Sequence, residues 1–439
     1  MKASHTLNRL CPAFDDPNLV ANAGLILPAT LAHRLGLPEL LRTIDLGPVP
    51  GRPNPDTKAM TVISALLAGA EYIDDVDVLR SGASHAVVGH RVAAPSTVGT
   101  FLRGFRWGHV RQFDAVSREL LRRAWTRGAG TGDACLTLDV DSTICETYGL
   151  HKQGGSRFTY THVRGYHPLL ATVAGSGDVV HSRLRGGNAN TTRGASGFVT
   201  ETIRRVRDAG STGTIVMRFD SGFFNQGVIA ACRREKVKFS ITARQTAPVR
   251  RAVDSIAESA WVPIPYFLDG ADVAETSYRP CGKGADVRLI VRRVRPTPGS
   301  QLEFEGFDFC YHAVVTDREG EMLELEADHR RHAEVESVIR DLKYGMGLNH
   351  LPSGRFGANG AWLGLNVIAH NLMRWVTRLG LAETLLASKT VRTRMIALPG
   401  RITRSGRRSH LHLPTNWPWA QRFSGALHRL RQLPAVQPA

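Results

Sequence analysis

Between residues 136 and 143 the chain reads LTLDVDST. Leu136, Leu138 and Val140 alternate with Thr137, Asp139 and Asp141, a period of two that predicts a β-strand. Aspartate is a poor strand residue, and an ionised carboxylate is costly to bury without a compensating partner. Here an apolar strand ends on two acids that share one face, followed by Ser142 and Thr143. Whatever sheet this strand enters must supply the compensation.

The surrounding pattern supplies a sheet. HPLLATVAG and VVHSRLRGG read as two more strands, ASGFVTETIRRVRDAG as an amphipathic helix, and TIVMRFDSG as a strand ending in Asp220. GFFNQGVIAACRREK is a helix and VKFSITAR a fifth strand. Three strands, helix, strand, helix, strand predict an α/β layer with helices on the sheet faces. In that order the first and fourth strands are neighbours. Asp141 and Asp220 then meet at one rim, where sites in open α/β sheets are found.

Residues 1–130 read as mostly helical, with ATLAHRLGLPELLRTI, TKAMTVISALLAGA and HVRQFDAVSRELLRRAW at helical spacing and DLGPVPGRPNPD as a loop. APSTVGTFLRGFRW predicts a short helix capped by Ser96 or Thr97 and carrying Arg103 and Arg106. It suits a groove-reading helix or ordinary packing equally. Residues 246–320 (DVAETSYRP, ADVRLIVRRVRP, FDFCYHAVVTD) read as an inserted antiparallel β region. There Trp261 is a core residue in one reading and a platform for a flipped base in the other. Beyond it, ADHRRHAEVESVIRDLKYGMG is a helix, and ANGAWLGLNVIAHNLMRWVTRLG a long apolar one suited to a core.

On the first of those helices Glu336, Arg340 and Lys343 stand at i, i+4 and i+7, on one face. Glu334 is rotated about 200° away. Each acid alone reads as a turn cap or an ion-paired carboxylate. Three carboxylates converging on one rim repel unless a cation neutralises them. Oxygen ligands without Cys or paired His select Mg²⁺ or Mn²⁺. Two such ions about 3.5–4 Å apart activate an attacking oxygen and stabilise a leaving one in phosphodiester chemistry.

Charge points to a polyanion. The net charge is +17 over 439 residues, which favours nucleic acid as partner. From Thr384 to the end there are ten Lys and Arg and no Asp or Glu, interleaved with VRTRMIAL and NWPWAQRF; that mixture predicts a tail that packs. The six cysteines are scattered with no C-x-x-C pair. That indicates neither a zinc site nor a disulfide framework and fits buried thiols in a reducing compartment. No apolar run nears the ~18 residues of a membrane span, and MKASHTLNRLCPAF has no apolar leader core. The expectation is a cytoplasmic protein, nucleoid-associated when bound, with no membrane partner.

At LDVDST, GYHPLLA, LRGGNAN, RFDSGFF and AEVESVIRDLKYGMGLNHLPSGRFGANGAWLGLNVIAHNLMRW, the sequence resembles the DDE transposases of bacterial insertion sequences. It is most similar to the branch with a Tyr-x2-Arg-x3-Glu-x6-Lys signature and a β-strand insertion, over roughly residues 20–435. The resemblance implies an RNase-H-like mixed sheet with flanking helices, the inserted antiparallel β region and a helical N-terminal domain. The expected division is 1–130 helical and DNA-binding, 131–245 catalytic core, 246–320 insertion, 321–380 second part of the core, and 381–439 basic C-terminal region. Carried over by residue, the catalytic, metal-binding acids are Asp141, Asp220 and Glu336, with Asp139 the alternate first acid. Lys343 would contact a phosphate near the scissile bond. His329 and His332 occupy the signature's Tyr and Arg positions, with Arg330 or Arg331 standing in for the cation. Further DNA contacts are expected from Arg340, Asn188, Arg185, Arg103, Arg404, Arg407 and Arg408.

The implied cofactor is Mg²⁺ or Mn²⁺, as two ions. The implied partners are the terminal inverted repeats and target DNA, held by a homodimer in the DNA-bound complex. Metal-activated water would cut each element end, and the freed 3′-OH would attack target DNA. The alternatives are an RNase-H-like nuclease that cuts without joining, and a catalytically inactive, transposase-derived DNA-binding protein.

Overall fold

The computed structural model describes residues 10–148, 152, 156–159, 161–265, 270–282, 284–296, 308–383 and 386–436. The first nine residues, on which the expected lack of a leader core partly rests, lie outside the described residues. The N-terminal part is helical, with α1 (Pro55–Ala68), α2 (Pro95–Arg103) and α3 (Trp107–Ala124) as its main elements. The cap of α2 differs from expectation. Ala94 takes the N-cap position and Pro95 opens the helix, because proline's fixed φ suits the first turn and its missing N–H costs nothing there. Ser96 and Thr97 are exposed in that turn. Arg106 lies beyond the end of α2, immediately before α3.

Strand β1 (Leu136–Ser142) lies within a nine-stranded sheet. On one side it pairs antiparallel with β2 (Leu169–Val173), which pairs antiparallel with β3 (Val179–Arg183). On the other side β4 (Ile215–Phe219) runs parallel to β1, and β5 (Lys238–Thr242) parallel to β4. The connecting helices are α4 (Ala195–Asp208) and α5 (Gln226–Arg234). Register puts Asp139 opposite Arg218 and Val140 opposite Phe219. The next residues along the two strands are Asp141 and Asp220, so the acids stand at adjoining strand ends.

The inserted β region extends this sheet. β6 (Ala271–Tyr278), β7 (Val287–Val294) and β8 (Cys310–Thr316) pair antiparallel in sequence, and β8 pairs antiparallel with β5, Val315 opposite Ile241. Strand β5 would otherwise be an exposed edge with unpaired backbone groups. Beyond the insertion come α6 (Met322–Arg330) and α7 (Glu334–Arg340), joined by a helical turn at Arg331–Ala333.

Helix α8 (Phe356–Trp375) is buried over most of its length, as its apolar sequence predicts. Its polar residues are placed against backbone groups. Asn371 donates to the Val179 carbonyl and accepts from the Val179 N–H, both at 2.8 Å, fixing the start of β3. Neighbouring Asp178 is fully buried. Trp125 and Trp375 each donate Nε1–H to its Oδ2, at 3.1 and 3.2 Å, and Arg378 Nη2 donates to Oδ1 at 2.8 Å. This carboxylate thereby joins the end of the N-terminal helices to the core helix.

The basic C-terminal segment is packed too. β9 (Gly400–Ser405) and β10 (Arg408–His412) form a hairpin whose first strand pairs with Leu19–Val20. Helix α9 (Ala420–Gln432) buries Phe423, Ala426 and Leu430. No helix among the described residues is long and apolar enough to cross a membrane.

Asp178→Ala should lower stability by about 3–5 kcal/mol in denaturant unfolding, because it strands the half-buried Arg378 guanidinium and leaves two indole N–H groups without an acceptor. Asp77→Ala, which removes a solvent-exposed pair with Arg80, should cost no more than about 1 kcal/mol.

Candidate active site

The two acids of β1 have separate fates. Asp139 is 1% exposed and takes a bidentate contact from Arg218, Nε to Oδ1 at 2.7 Å and Nη2 to Oδ2 at 2.8 Å. His332 Nδ1 adds a third bond to Oδ1 at 2.8 Å. These contacts are the compensation that a buried carboxylate demands. They also occupy the oxygens that Asp139, as alternate first acid, would offer a cation.

Asp141 lies two residues on, half-buried, with Oδ1 accepting the Ser142 N–H at 2.6 Å. Burial pushes its pKa up to about 6, helped by the charges of Asp220 and Glu336 and opposed by the Ser142 N–H and His332. Asp220 ends β4 and caps the following turn, accepting the Gly222 N–H at 3.1 Å. Its pKa is also raised by burial, against the lowering effects of His332, backbone N–H groups and Arg244. Glu336 sits on α7 with an exposed side chain. Glu334, the other acid of that helix, instead lines a cavity of about 190 Å³ with Asp139, Asp341 and His370. Two strand ends and one helix thus bring three carboxylates into electrostatic contact.

The surrounding helical segment is fastened by histidines. His329 is buried and bridges two hydroxyls of β5, Nδ1 to Ser240 Oγ at 2.8 Å and Nε2 to Thr242 Oγ1 at 2.9 Å. Burial, then His332 and Arg218, drive its pKa down to about 3, so it is neutral at any working pH. His332 holds β1 through Asp139, while its Nε2 is buried without a hydrogen-bond partner.

The basic residues sort by availability. Arg340 is exposed. Lys343 is half-buried in a π-helical turn, Asp341–Gly345, that follows α7 directly. That wider turn removes the regular i+7 spacing expected from a continuous α-helix. Arg330 is held by Glu326 at 2.9 Å and Arg331 by Asp328 at 2.8 Å. Arg185 is buried and staples its own loop, donating to the carbonyls of His167, Asn190, Thr191 and Arg193. Asn188, at the tip of that loop, is exposed, as are Arg103 on α2 and Arg404, Arg407 and Arg408 on the β9–β10 hairpin. Trp261 has Arg293 stacked over its ring, 4.3 Å from the centroid, so one face is already covered.

Three contributors escaped the sequence reading. Arg218 stands two residues before Asp220 in a quoted block, but its partner is on another strand. His167, from GYHPLLA, accepts from Ser142 Oγ at Nε2 (2.9 Å) and donates from Nδ1 to the Ala189 carbonyl (2.8 Å), tying the Asn188 loop to the end of β1. Exposed Arg244 donates to the carbonyls of Ser221 and Gly222 beside Asp220. Its only sequence signal was its position just after a strand.

Two carboxylates whose pKa is raised chiefly by burial, with a third acid acting on one of them, are the oxygen-donor chemistry that Mg²⁺ or Mn²⁺ takes. As the side chains stand, no group of three or more His, Cys, Asp or Glu among the described residues is arranged to hold a metal ion. The donor set fits; closure of the cage is not present in this conformation.

The comparisons with known proteins come in three parts. The family described as "Transposase DDE domain group 1" matches residues 7–435. No curated protein matches by sequence. Among solved structures, a piggyBac transposase synaptic complex with hairpin DNA, determined by cryo-EM, is similar at 11% identity and a TM-score of 0.46, covering 77% of this chain and 70% of that one.

A raised carboxylate pKa makes the ionised group a folding penalty above about pH 6, absent below the unfolded value near pH 4. Asp141→Asn should therefore stabilise the metal-free protein at pH 7.5 by about 1–3 kcal/mol. The gain should vanish as the pH falls from 6 to 4 in thermal unfolding.

Proposed function

The chain belongs to the DDE transposase domain family, group 1, and from that premise we propose that it is a transposase that cuts DNA at the ends of a bacterial insertion sequence and joins the freed 3′-OH to target DNA. The observation that supports this reading is that Asp141 and Asp220 follow paired residues at adjoining strand ends, with the charges of Asp220 and Glu336 both raising the pKa of Asp141. Those three side chains would hold divalent cations, Mg²⁺ or Mn²⁺. When bound, such ions supply charge neutralisation and polarise the reacting oxygens of a phosphodiester. The protein's own part is to hold the carboxylates at adjoining strand ends, to keep Asp141 and Asp220 half out of water, and to present cationic side chains to the phosphates.

Two surfaces support DNA binding. One is a cleft of about 650 Å³ lined by Arg103, Arg106, Trp107 and Arg355. The other is the β9–β10 hairpin with Arg404, Arg407 and Arg408. Arg244 acts on Asp220; exposed Arg340 and Asn188 would add DNA contacts, and Lys343 is the nearest match to the signature's final lysine. Joining two element ends in one event calls for a homodimer on DNA.

In a cleavage assay with Mg²⁺ and DNA carrying the element's own ends, the intact protein should nick each end and then form strand-transfer products. Alanine at Asp141, Asp220 or Glu336 should reduce both by at least about 10³-fold, the scale of losing an electrostatic centre, with end binding held within a few-fold. Equal activity of wild type and Asp220→Ala would refute the reading. Nicking without joining would leave a nuclease.

The hairpin arginines test the DNA surface without disturbing the packed C-terminal helix. Replacing Arg404, Arg407 and Arg408 together by alanine should reduce the slope of log K against log salt by roughly 2–3, as three lost phosphate contacts require. An unchanged slope would place the hairpin off the DNA.

A further inference from the structure

Beneath the three acids lies a second triad. Asp139 is two residues before Asp141 on β1, and Arg218 two residues before Asp220 on β4. On a strand, i and i+2 share a face about 6.4–6.8 Å apart. His332 is four residues before Glu336, with the backbone helical through Ala333 and Glu334, so it lies one turn away on the same side. Each supposed metal ligand thus has one member of Asp139, Arg218 and His332 at a fixed offset along its own element. Those three are bonded to one another through Asp139, at 2.7, 2.8 and 2.8 Å. The Arg218 and Asp139 side chains are each 1% exposed and that of His332 is 13% exposed.

We propose that Asp139, Arg218 and His332 are a positioning unit that sets the spacing of Asp141, Asp220 and Glu336. Arg218 locks the register of the two strand ends. His332 draws the start of α7 onto β1, so that Glu336 approaches the strand acids at one height. In this role His332 acts through Nδ1 and Asp139. Its position in the chain does not make it a DNA contact, because the ring is engaged inside the protein. Nε2 remains the atom with no protein partner, so the two nitrogens must be tested apart.

The inference rests on the reading of Asp141, Asp220 and Glu336 as the metal-binding acids, and the test separates the two. Full-length wild type, His332→Ala, His332→Asn and His332→Gln are compared. Asparagine can place an amide N–H near the Nδ1 position, whereas glutamine places one near Nε2. The first measurement is amide hydrogen exchange of residues 334–340 in metal-free protein. Exchange there should accelerate at least tenfold in His332→Ala and His332→Gln and stay near wild type in His332→Asn, with α8 unchanged as a control for folding. The second is Mn²⁺ affinity by calorimetry. It should fall about 10–100-fold in the same two variants, the range for lost support of metal ligands, and be largely retained in His332→Asn. Unchanged exchange in His332→Ala overturns the proposal. So does glutamine rescuing where asparagine fails, since that would assign the role to Nε2. Wild-type protein that binds no Mn²⁺ and cuts no DNA would refute the metal-site reading alone, and the exchange data would still decide the positioning unit.

Discussion

The ion pair between Arg218 and Asp139 is the interaction on which the rest of the site stands. Removing two charges from water costs several kcal/mol per ion, and only close geometry with further hydrogen bonds offsets it. Here both oxygens of Asp139 face the guanidinium, His332 takes another lone pair, and Arg218 also donates to the Asp328 carbonyl. Breaking any one contact leaves buried charge behind. The pair therefore forces β1 and β4 into the one parallel register that satisfies it. That same register brings Asp141 and Asp220 to neighbouring strand ends.

The third acid reaches this rim only after a long detour through β6, β7 and β8. Because β8 pairs with β5, the detour ends beside the strand from which it departed, and α6 begins within reach of the core. His329 then fastens α6 to Ser240 and Thr242 of β5, and His332 fastens the next turn to Asp139 of β1. Two histidines, bonded to different strands, thus hold one helical segment across the sheet. A neutral His329 suits its task, since both of its partners are hydroxyls that can donate or accept.

Local pattern carried much of this. Alternation in LTLDVDST put Asp139 and Asp141 on one face, and the order of strands and helices made β1 and β4 neighbours. The apolar run of residues 358–380 read correctly as core. What local pattern could not carry was partnership. Nothing within LTLDVDST distinguishes the acid that is ion-paired from the one that is not; the difference is Arg218, on another strand. The face that Lys343 takes relative to Glu336 was not legible either, because the π-helical turn Asp341–Gly345, whose Asp341 bonds Ser388, leaves no mark in periodicity. Arg185 looked like an available cation because charge is visible in a sequence and burial of a guanidinium among loop carbonyls is not. At α2 the helix was foreseen but its cap was not, since Pro95 competed with Ser96 and Thr97 for the first position.

The electrostatics of the rim also constrain the order of events on DNA. The chain's net charge of +17 gives the acids little relief, because charges beyond about 8 Å are largely screened at physiological salt. Close by, His332 lowers the pKa of both strand acids and Arg244 that of Asp220, yet Asp141 still rises to about 6 and Asp220 stays above its ordinary value. A scissile phosphate brought to this rim adds a further negative charge to a cluster that already disfavours its own. On the proposed reading, the arginines of α2 and of the hairpin, which do not figure among the charges acting on Asp141 or Asp220, would hold flanking phosphates rather than neutralise the centre. On the proposed reading, cation binding and phosphate approach are therefore thermodynamically coupled: each lowers the cost of the other.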